Sequence, residues 1–376
     1  MARRSRKSRG EDGSRRRSYS HRQLVWRHFR RHRVATVGLV ILVLLYLGAG
    51  LAEFVAPNDP ADRFSGRRYS PPQKIHFVDA EGRFHFWPFV YEVSGELNRE
   101  TYKHDYVEDT SQPHPIRLFV RGAEYKLFGL FSTNVHLFGV SQEIPLFPFG
   151  TDQLGRCLLS RIIFGSRISL TIGFLGTAIS FVLGLLLGGV SGFYGGVVDT
   201  VIQRFTEIVR SIPTLPLWMA LSAALPQEWS TITTFFALVA ILSLLGWTEL
   251  ARVVRGKFVS LREEDFVMAA KACGASEARI IALHLVPNFM SYVLVSATLS
   301  IPAMILGETA LSFLGIGLRP PVISWGVLLQ QAQNFQTVAI YPWLLLPSVA
   351  VVVAVLAFNV VGDGLRDATD PHSIRR

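Results

Sequence analysis

Long apolar runs alternate with short polar joints along this chain. The first run, Val34 to Val55, is broken only by small or weakly polar residues such as Thr36 and Gly38. It is long enough to cross a hydrocarbon layer of about 30 Å. A cleaved leader is the alternative, with Gly50-Leu51-Ala52 as a tolerable cut site, but the apolar region exceeds the about 7 to 15 residues of a signal peptide core. An uncleaved anchor is therefore expected. Further runs cover Ile168 to Phe193, the stretch from Arg204 through Ala224, Thr231 to Val254, Phe289 to Leu314 and Tyr341 to Val361. Pro213 and Pro216 inside the third run predict a kinked helix, and Pro302 and Pro347 interrupt the last two. Gly184, Gly188, Gly192 and Gly196 recur every four residues, which puts them on one helix face and lets a second helix approach closely. Gly195-Gly196 also marks a turn.

The pattern predicts an all-α membrane protein, a six-span helical bundle with both ends on one side. Its divisions are a basic arm at 1–33, a first span at 34–56, a polar insertion at 57–160, a five-helix core at 161–361 and a terminal segment at 362–376. Within the insertion, Lys74 to Val78, a turn at Ala80-Glu81-Gly82 and Phe84 to Trp87 read as a strand hairpin.

A polar island at 255–288 separates the fourth and fifth runs. Ser260 followed by Glu263 predicts a capping-box helix start, and Gly274 predicts its end. Phe266, Ala269, Ala270 and Cys273 fall at i, i+3, i+4 and i+7 and share a face that two alanines make shallow. Ser276 then caps a second helix, which Pro287 should stop. A short helix with small residues suits a groove on a partner protein. The alternative is a hairpin packed only on its own bundle. A DNA-reading helix pair would need basic and amide side chains on its second helix, and only Arg279 is there.

Composition agrees with a membrane location: 49% of the 376 residues are hydrophobic. Residues 1–33 alone carry +11, with 13 Lys and Arg against Glu11 and Asp12, so against a net charge of +10 the remainder is close to neutral. Such an arm beside a span fits anionic lipid better than nucleic acid. Arg252, Arg255, Lys257, Arg262, Lys271 and Arg279 flank the polar island, so the island and both ends are expected on the cytoplasmic side. The insertion then faces outward. Cys157 and Cys273 should lie on opposite sides of the membrane, so no disulfide is expected.

Candidate chemistry is sparse. There is no phosphate-binding Gly-x-x-x-x-Gly-Lys-Ser/Thr loop, since Gly256-Lys257 lacks the preceding glycine and the following hydroxyl, so ATP must be handled by another chain. His76, His85, His104, His114 and His136 lack metal-ligand spacing, and neither a metal nor a cofactor is expected. Neither His-Glu-x-x-His nor Gly-x-Ser-x-Gly occurs, which disfavours the common membrane hydrolases. Glu308 is a carboxylate deep in an apolar run, a placement that suits a translocation path or a hydrogen bond holding the turn from Leu311 to Gly315. Arg161 and Arg167 stand at the outer start of the second span, where they could meet a peptide carboxylate or snorkel to the interface.

The island resembles the cytoplasmic EAA loop of ABC-importer permeases. Ala269, Ala270, Gly274 and Pro287 match, while Met268 stands where that motif has glutamate and Val286 replaces the residue before the proline. Further stretches are similar to the oligopeptide/dipeptide branch of these permeases. They include Phe149-Gly-Thr-Asp152-x-x-Gly155-Arg156, Gly192-Phe-Tyr194-Gly-Gly196-x-x-Asp199, Leu306-Gly-Glu308, Ser324-Trp325-Gly326 and Asn359-x-x-Gly-Asp363. Cys157 stands where that branch commonly carries an acid. The long insertion is similar to that of the Yej-type permease, associated with microcin C and oligopeptide uptake. The resemblance implies a type I importer fold and a peptide substrate. It also implies a second homologous permease, two cytoplasmic ATPase domains and a periplasmic binding protein as partners. On the same ground, Phe266, Ala269, Ala270, Gly274, His284 and Pro287 would couple to the ATPase.

Nickel chelates or glycoside-like solutes are the alternative cargo for this architecture. A membrane sensor is an alternative of another class, but it would need an output domain, for which the 362–376 segment leaves no room.

Overall fold

The structure, a computed structural model, describes residues 21–97, 104–140 and 144–369. An amphipathic helix α1 (His21–Arg31) precedes α2 (Arg33–Gly50), and the two are separated at His32, whose ring Nδ1 accepts the Ala35 amide as an N-cap. Helix α1 falls within the expected basic arm, whose charge pattern does not announce a helix; residues 1–20 of that arm lie outside the described residues. After the short α3 (Ala52–Val55) the chain leaves the bundle for the insertion and returns in α4 (Leu158–Tyr194), which begins ten residues earlier than its apolar run suggested.

The insertion is built of two antiparallel sheets. Strands β1 (His76–Val78), β2 (Phe84–Leu97) and β3 (His104–Pro115) form one in that order, and β4 (Arg117–Leu127) pairs with β5 (Phe131–Gly139) in the other. The expected hairpin is β1–β2, with Val78 opposite Phe84 and Gly82 at positive φ in the turn. Val90, Val140 and Leu146 make a small core under the sheets.

The expected third span is two helices, α5 (Gly196–Ser211) and α6 (Thr214–Ala223), broken at Ile212 and Pro213. Pro213 forces the break because it supplies no amide and clashes with the preceding turn, whereas Pro216 sits in the first turn of α6, where amides lack helical partners anyway. Helix α7 (Thr231–Leu261) follows, with the Ser230 hydroxyl capping the Thr233 amide. The polar island holds α8 (Asp265–Ala272) and α9 (Glu277–Arg279), then a π-helical stretch Ile280–Leu285 that runs into α10 (Val286–Phe313). Short helices α11 (Trp325–Gln330) and α12 (Phe335–Ile340) lead to α13 (Leu346–Thr369).

Among the described residues, five helical segments are long and apolar enough to cross a membrane. Helix α4 lies against α7 along the predicted glycine face. A Cβ built on Gly192 would stand 2.6 Å from the Arg255 carbonyl oxygen, and one on Gly184 2.9 Å from that of Trp247. Gly196 does not share this seam, because α4 ends at Tyr194 and the chain turns through two positive-φ glycines. Helix α13 packs on α2, with Gly364 against Ala35 and Gly38 against Ala357. His32 approaches Asp367 at 3.8 Å, so the described ends of the chain meet at one end of the bundle. Lys257 and Asn288 border a cavity with Arg366 and Thr369, which places the polar island at that same end.

Candidate functional site

The helical hairpin of the island starts later than its sequence signals suggested. Ser260 is still inside α7, its hydroxyl bonded to the Lys257 carbonyl at 3.1 Å, so no capping box forms there. The apolar stripe of α7 continues through Val254 and Phe258 to Leu261 and keeps Ser260 helical, leaving Glu264 as N-cap of α8. The other end is as expected. Gly274 has φ +76°, its amide bonds the Lys271 carbonyl at 2.9 Å, and the Ala275 amide bonds the Ala270 carbonyl at 3.0 Å. That pair of bonds is a Schellman stop, for which glycine is the residue without steric cost.

Val267 is fully buried, and Ala270 and Ala275 pack beside it on Phe258, Leu285 and Phe289. This inner stripe leaves Phe266, Met268, Ala269 and Cys273 exposed on the outside. The four predicted face residues therefore divide, with Ala270 turned inward. His284 is half-buried in the π-helical stretch, and its carbonyl accepts the Asn288 side-chain amide at 2.7 Å. Pro287 does not stop the helix. It follows the wider π turn, which absorbs the missing hydrogen bond, and α9 to α10 runs on as one rod.

Several side chains tie this hairpin to the rest of the bundle. The Tyr194 hydroxyl at the end of α4 donates to Glu277 at 2.9 Å, and Lys271 Nζ lies 5.6 Å from the centre of the Phe193 ring. Arg255 of α7 grips Asp199 of α5 with Nε and Nη2, both at 2.6 Å, and the same carboxylate accepts the Ser191 hydroxyl. Sequence reasoning noted Asp199 and Arg255 separately and missed the pair. Its only local signal was an acid in the first turn of an amphipathic helix.

At the opposite end lie the candidate path residues. Glu308 is 1% exposed, and three hydroxyls point at its carboxylate: Ser169 at 3.1 Å, Ser312 at 2.8 Å and Ser324 at 2.7 Å. Each serine oxygen in turn accepts a backbone amide, those of Trp325, Leu318 and Val327 respectively. Glu308 thus collects the protons of three serines that fasten α4, the end of α10 and the start of α11 together. Arg161 is buried beside Asp152 at 3.5 Å, a carboxylate also held by Arg156 at 2.7 Å. Arg167 donates to Glu53 through both terminal nitrogens and to the Ala49 and Gly50 carbonyls, so it caps the end of α2. Both arginines are paired with carboxylates of their own chain. Cys157 is buried at the start of α4 and Cys273 is exposed on the hairpin, both as free thiols.

Known proteins are similar to this chain in sequence. Residues 159–375 match the family described as binding-protein-dependent transport system inner membrane component, and residues 20–72 match the N-terminal TM domain of oligopeptide transport permease C. The oligopeptide transport system permease protein OppC of Haemophilus influenzae is 41% identical over 224 residues, covering 59% of this chain and 70% of that one. The dipeptide transport system permease protein DppC of Lactococcus lactis is 31% identical over 356 residues, covering 93% and 90%. Among solved structures, a chain of the inward-facing MetNI methionine ABC transporter gives a TM-score of 0.42 at 19% identity, covering 57% of this chain and 98% of that chain. With more than half its length matched, the chain belongs to the binding-protein-dependent transport system inner membrane component family, in its oligopeptide/dipeptide branch, as a permease subunit of an ABC importer.

Proposed function

We propose that the chain forms part of the pathway for peptides, delivered by a periplasmic binding protein, and that its 255–288 hairpin carries the motion of an ATPase into the bundle. The exposed face of α8 supports this, with Phe266, Ala269 and Cys273 outward on a helix anchored from behind by Val267 and Ala270. A second homologous permease and two ATPase domains complete the transporter, and this chain is not itself an enzyme. The hairpin and both chain ends are cytoplasmic in this reading, in keeping with the cluster of Arg and Lys around the hairpin. The 57–160 insertion faces the periplasm and supports the narrower Yej-type assignment, with microcin C or oligopeptides as cargo. There it docks the binding protein or covers the pore mouth.

Glu308 serves as a latch in this proposal, because its oxygens are occupied by serines of its own chain. Arg161 and Arg167 hold the outer ends of α4 and α2. His284 and Pro287 lie in and beside the π-helical joint, where a hinge would act.

The test is ATP hydrolysis by the chain reconstituted with its co-encoded neighbours, with binding protein loaded with peptide or with nickel chelate. Stimulation by peptide is expected, and stimulation by the chelate alone would overturn the substrate. Gly274→Ile should then cut the stimulation severalfold or more. A Cβ at 274 meets nothing in its own chain, so the burden is the positive φ, about 1 to 2 kcal/mol, or roughly a 5- to 30-fold loss of the docked geometry. If Gly274→Ile and Ala270→Leu both keep full stimulation and retain the ATPase, the hairpin is not the coupling element.

A further inference from the structure

The turn joining β4 to β5 is made of Phe128, Gly129 and Leu130. Phe128 has φ +52° and Gly129 φ +72°, and the Leu130 amide closes the turn on the Leu127 carbonyl at 3.0 Å. Two successive left-handed residues are the pattern that favours Asn-Gly, and a bulky aromatic in the first position is uncommon. The sequence accepts that conformational burden and places at the tip three large apolar side chains with little cover. Phe128 is 61% exposed, Leu130 78% and Phe131 68%.

The first two turn residues, Phe128 and Gly129, lie beside the bundle. A groove of about 540 Å³ has Phe128 and Gly129 on one wall and Tyr46, Gly50, Leu170 and Thr171 on the other, together with the paired Arg167 and Glu53, whose charges a lipid headgroup at its mouth would meet. Helix α2 has 18 residues, which at 1.5 Å each gives about 27 Å, so it needs its whole length to cross the hydrocarbon. Tyr46, one turn from its end, and Thr171, well inside α4, therefore stand at the level of the outward-facing leaflet. The stripe of α2 that continues from this groove, Val40, Val43, Leu44 and Leu47, is exposed and apolar. Exposed Arg121 and Lys126 lie on β4 behind the tip, with Glu124 between them, a balance that suits anionic headgroups.

The geometry points to the β4–β5 tip as a membrane-seated foot: Phe128, Leu130 and Phe131 dip into the outward-facing leaflet, and lipid fills the groove between the tip and helices α2 and α4. The foot sets the height and tilt of the insertion relative to the bilayer. It depends on the spanning of α2 and α4 and is independent of which solute is carried.

The experiment places a nitroxide label at Leu130→Cys in a Cys273→Ser background, leaving Cys157 buried. The full chain with its partner subunits is reconstituted in vesicles of phosphatidylethanolamine and phosphatidylglycerol. A label at Phe86→Cys, on the exposed face of β2, gives the aqueous reference. The ratio of collisions with oxygen to collisions with a water-soluble nickel chelate should be severalfold higher at 130 than at 86. Equal ratios would overturn the proposal by placing the tip in water. Low collision rates with both reagents would overturn it by showing that a protein subunit covers the tip.

Discussion

Glu308 shows at the scale of one residue how composition and placement part company. A carboxylate among apolar neighbours could be read from the sequence, as could the serines at 312 and 324, yet Ser169 lies 139 positions away and nothing local ties it to them. Fully satisfied buried networks hold elements rigidly, whereas stranded members are costly. Glu308→Ala would leave three buried hydroxyl donors without their acceptor, at about 1 to 3 kcal/mol each. Glu308→Gln keeps the shape and one acceptor oxygen for the pair Ser312 and Ser324, which share Oε1. The alanine variant should therefore lose thermal stability and folded yield in detergent, while the glutamine variant keeps both and transports at close to the wild-type rate. A well-assembled glutamine variant with altered selectivity would instead put the carboxylate charge in the path.

Among the helices, periodicity and breakers were legible wherever the deciding neighbour was close in sequence. The glycine spacing in α4 named the right face, because small residues every fourth position have few other uses in lipid. Gly196 fell out of that face since the helix had already ended. Pro287 misled for a related reason: a proline is a stop only if the turn before it is α-helical, and six π-helical residues remove that condition. The α4–α7 seam carries the next prediction. A Cβ on Gly188 would collide with the backbone of Ala251, which unlike a flexible side chain cannot move aside. Gly188→Val should force the two helices apart at a cost of about 1 to 3 kcal/mol or more. Its melting temperature should fall, whereas Gly256→Ala, at a position where a Cβ meets nothing, should change it little. Equal melting temperatures for the two variants would mean that α4 and α7 do not pack through this seam.

The whole molecule joins a bundle written plainly in hydropathy to an insertion of which only the first hairpin could be read. Strand β3 runs His-Asp-Tyr-Val-Glu-Asp-Thr-Ser-Gln-Pro-His-Pro, without apolar alternation and with two prolines, and it is a strand because β2 pairs with it from Phe89 to Leu97. Tertiary pairing of this kind overrides local propensity. The base of the insertion is tied to the bundle's outer rim, since the Trp343 ring nitrogen donates to the Thr151 carbonyl at 3.1 Å, while the Phe147 amide donating to the Gln73 side chain at 2.6 Å and the Ser70 amide donating to Thr151 at 2.8 Å hold the base itself together. Tyr69 also stacks on Tyr341 at 4.1 Å beside α13. A deletion that tests the insertion must spare this base. Replacing 74–139 by a Gly-Ser linker of about ten residues, with a span of roughly 16 to 19 Å, removes all five strands and leaves those bonds in place. The five long helices bury their seams without the strands, so the shortened chain should insert and assemble with its partners. Peptide-stimulated ATP hydrolysis should fall in the presence of binding protein while basal hydrolysis persists, because only delivery at the outer face is lost. Wild-type stimulation by the shortened chain would rule out a part for the strands in docking the binding protein or covering the pore.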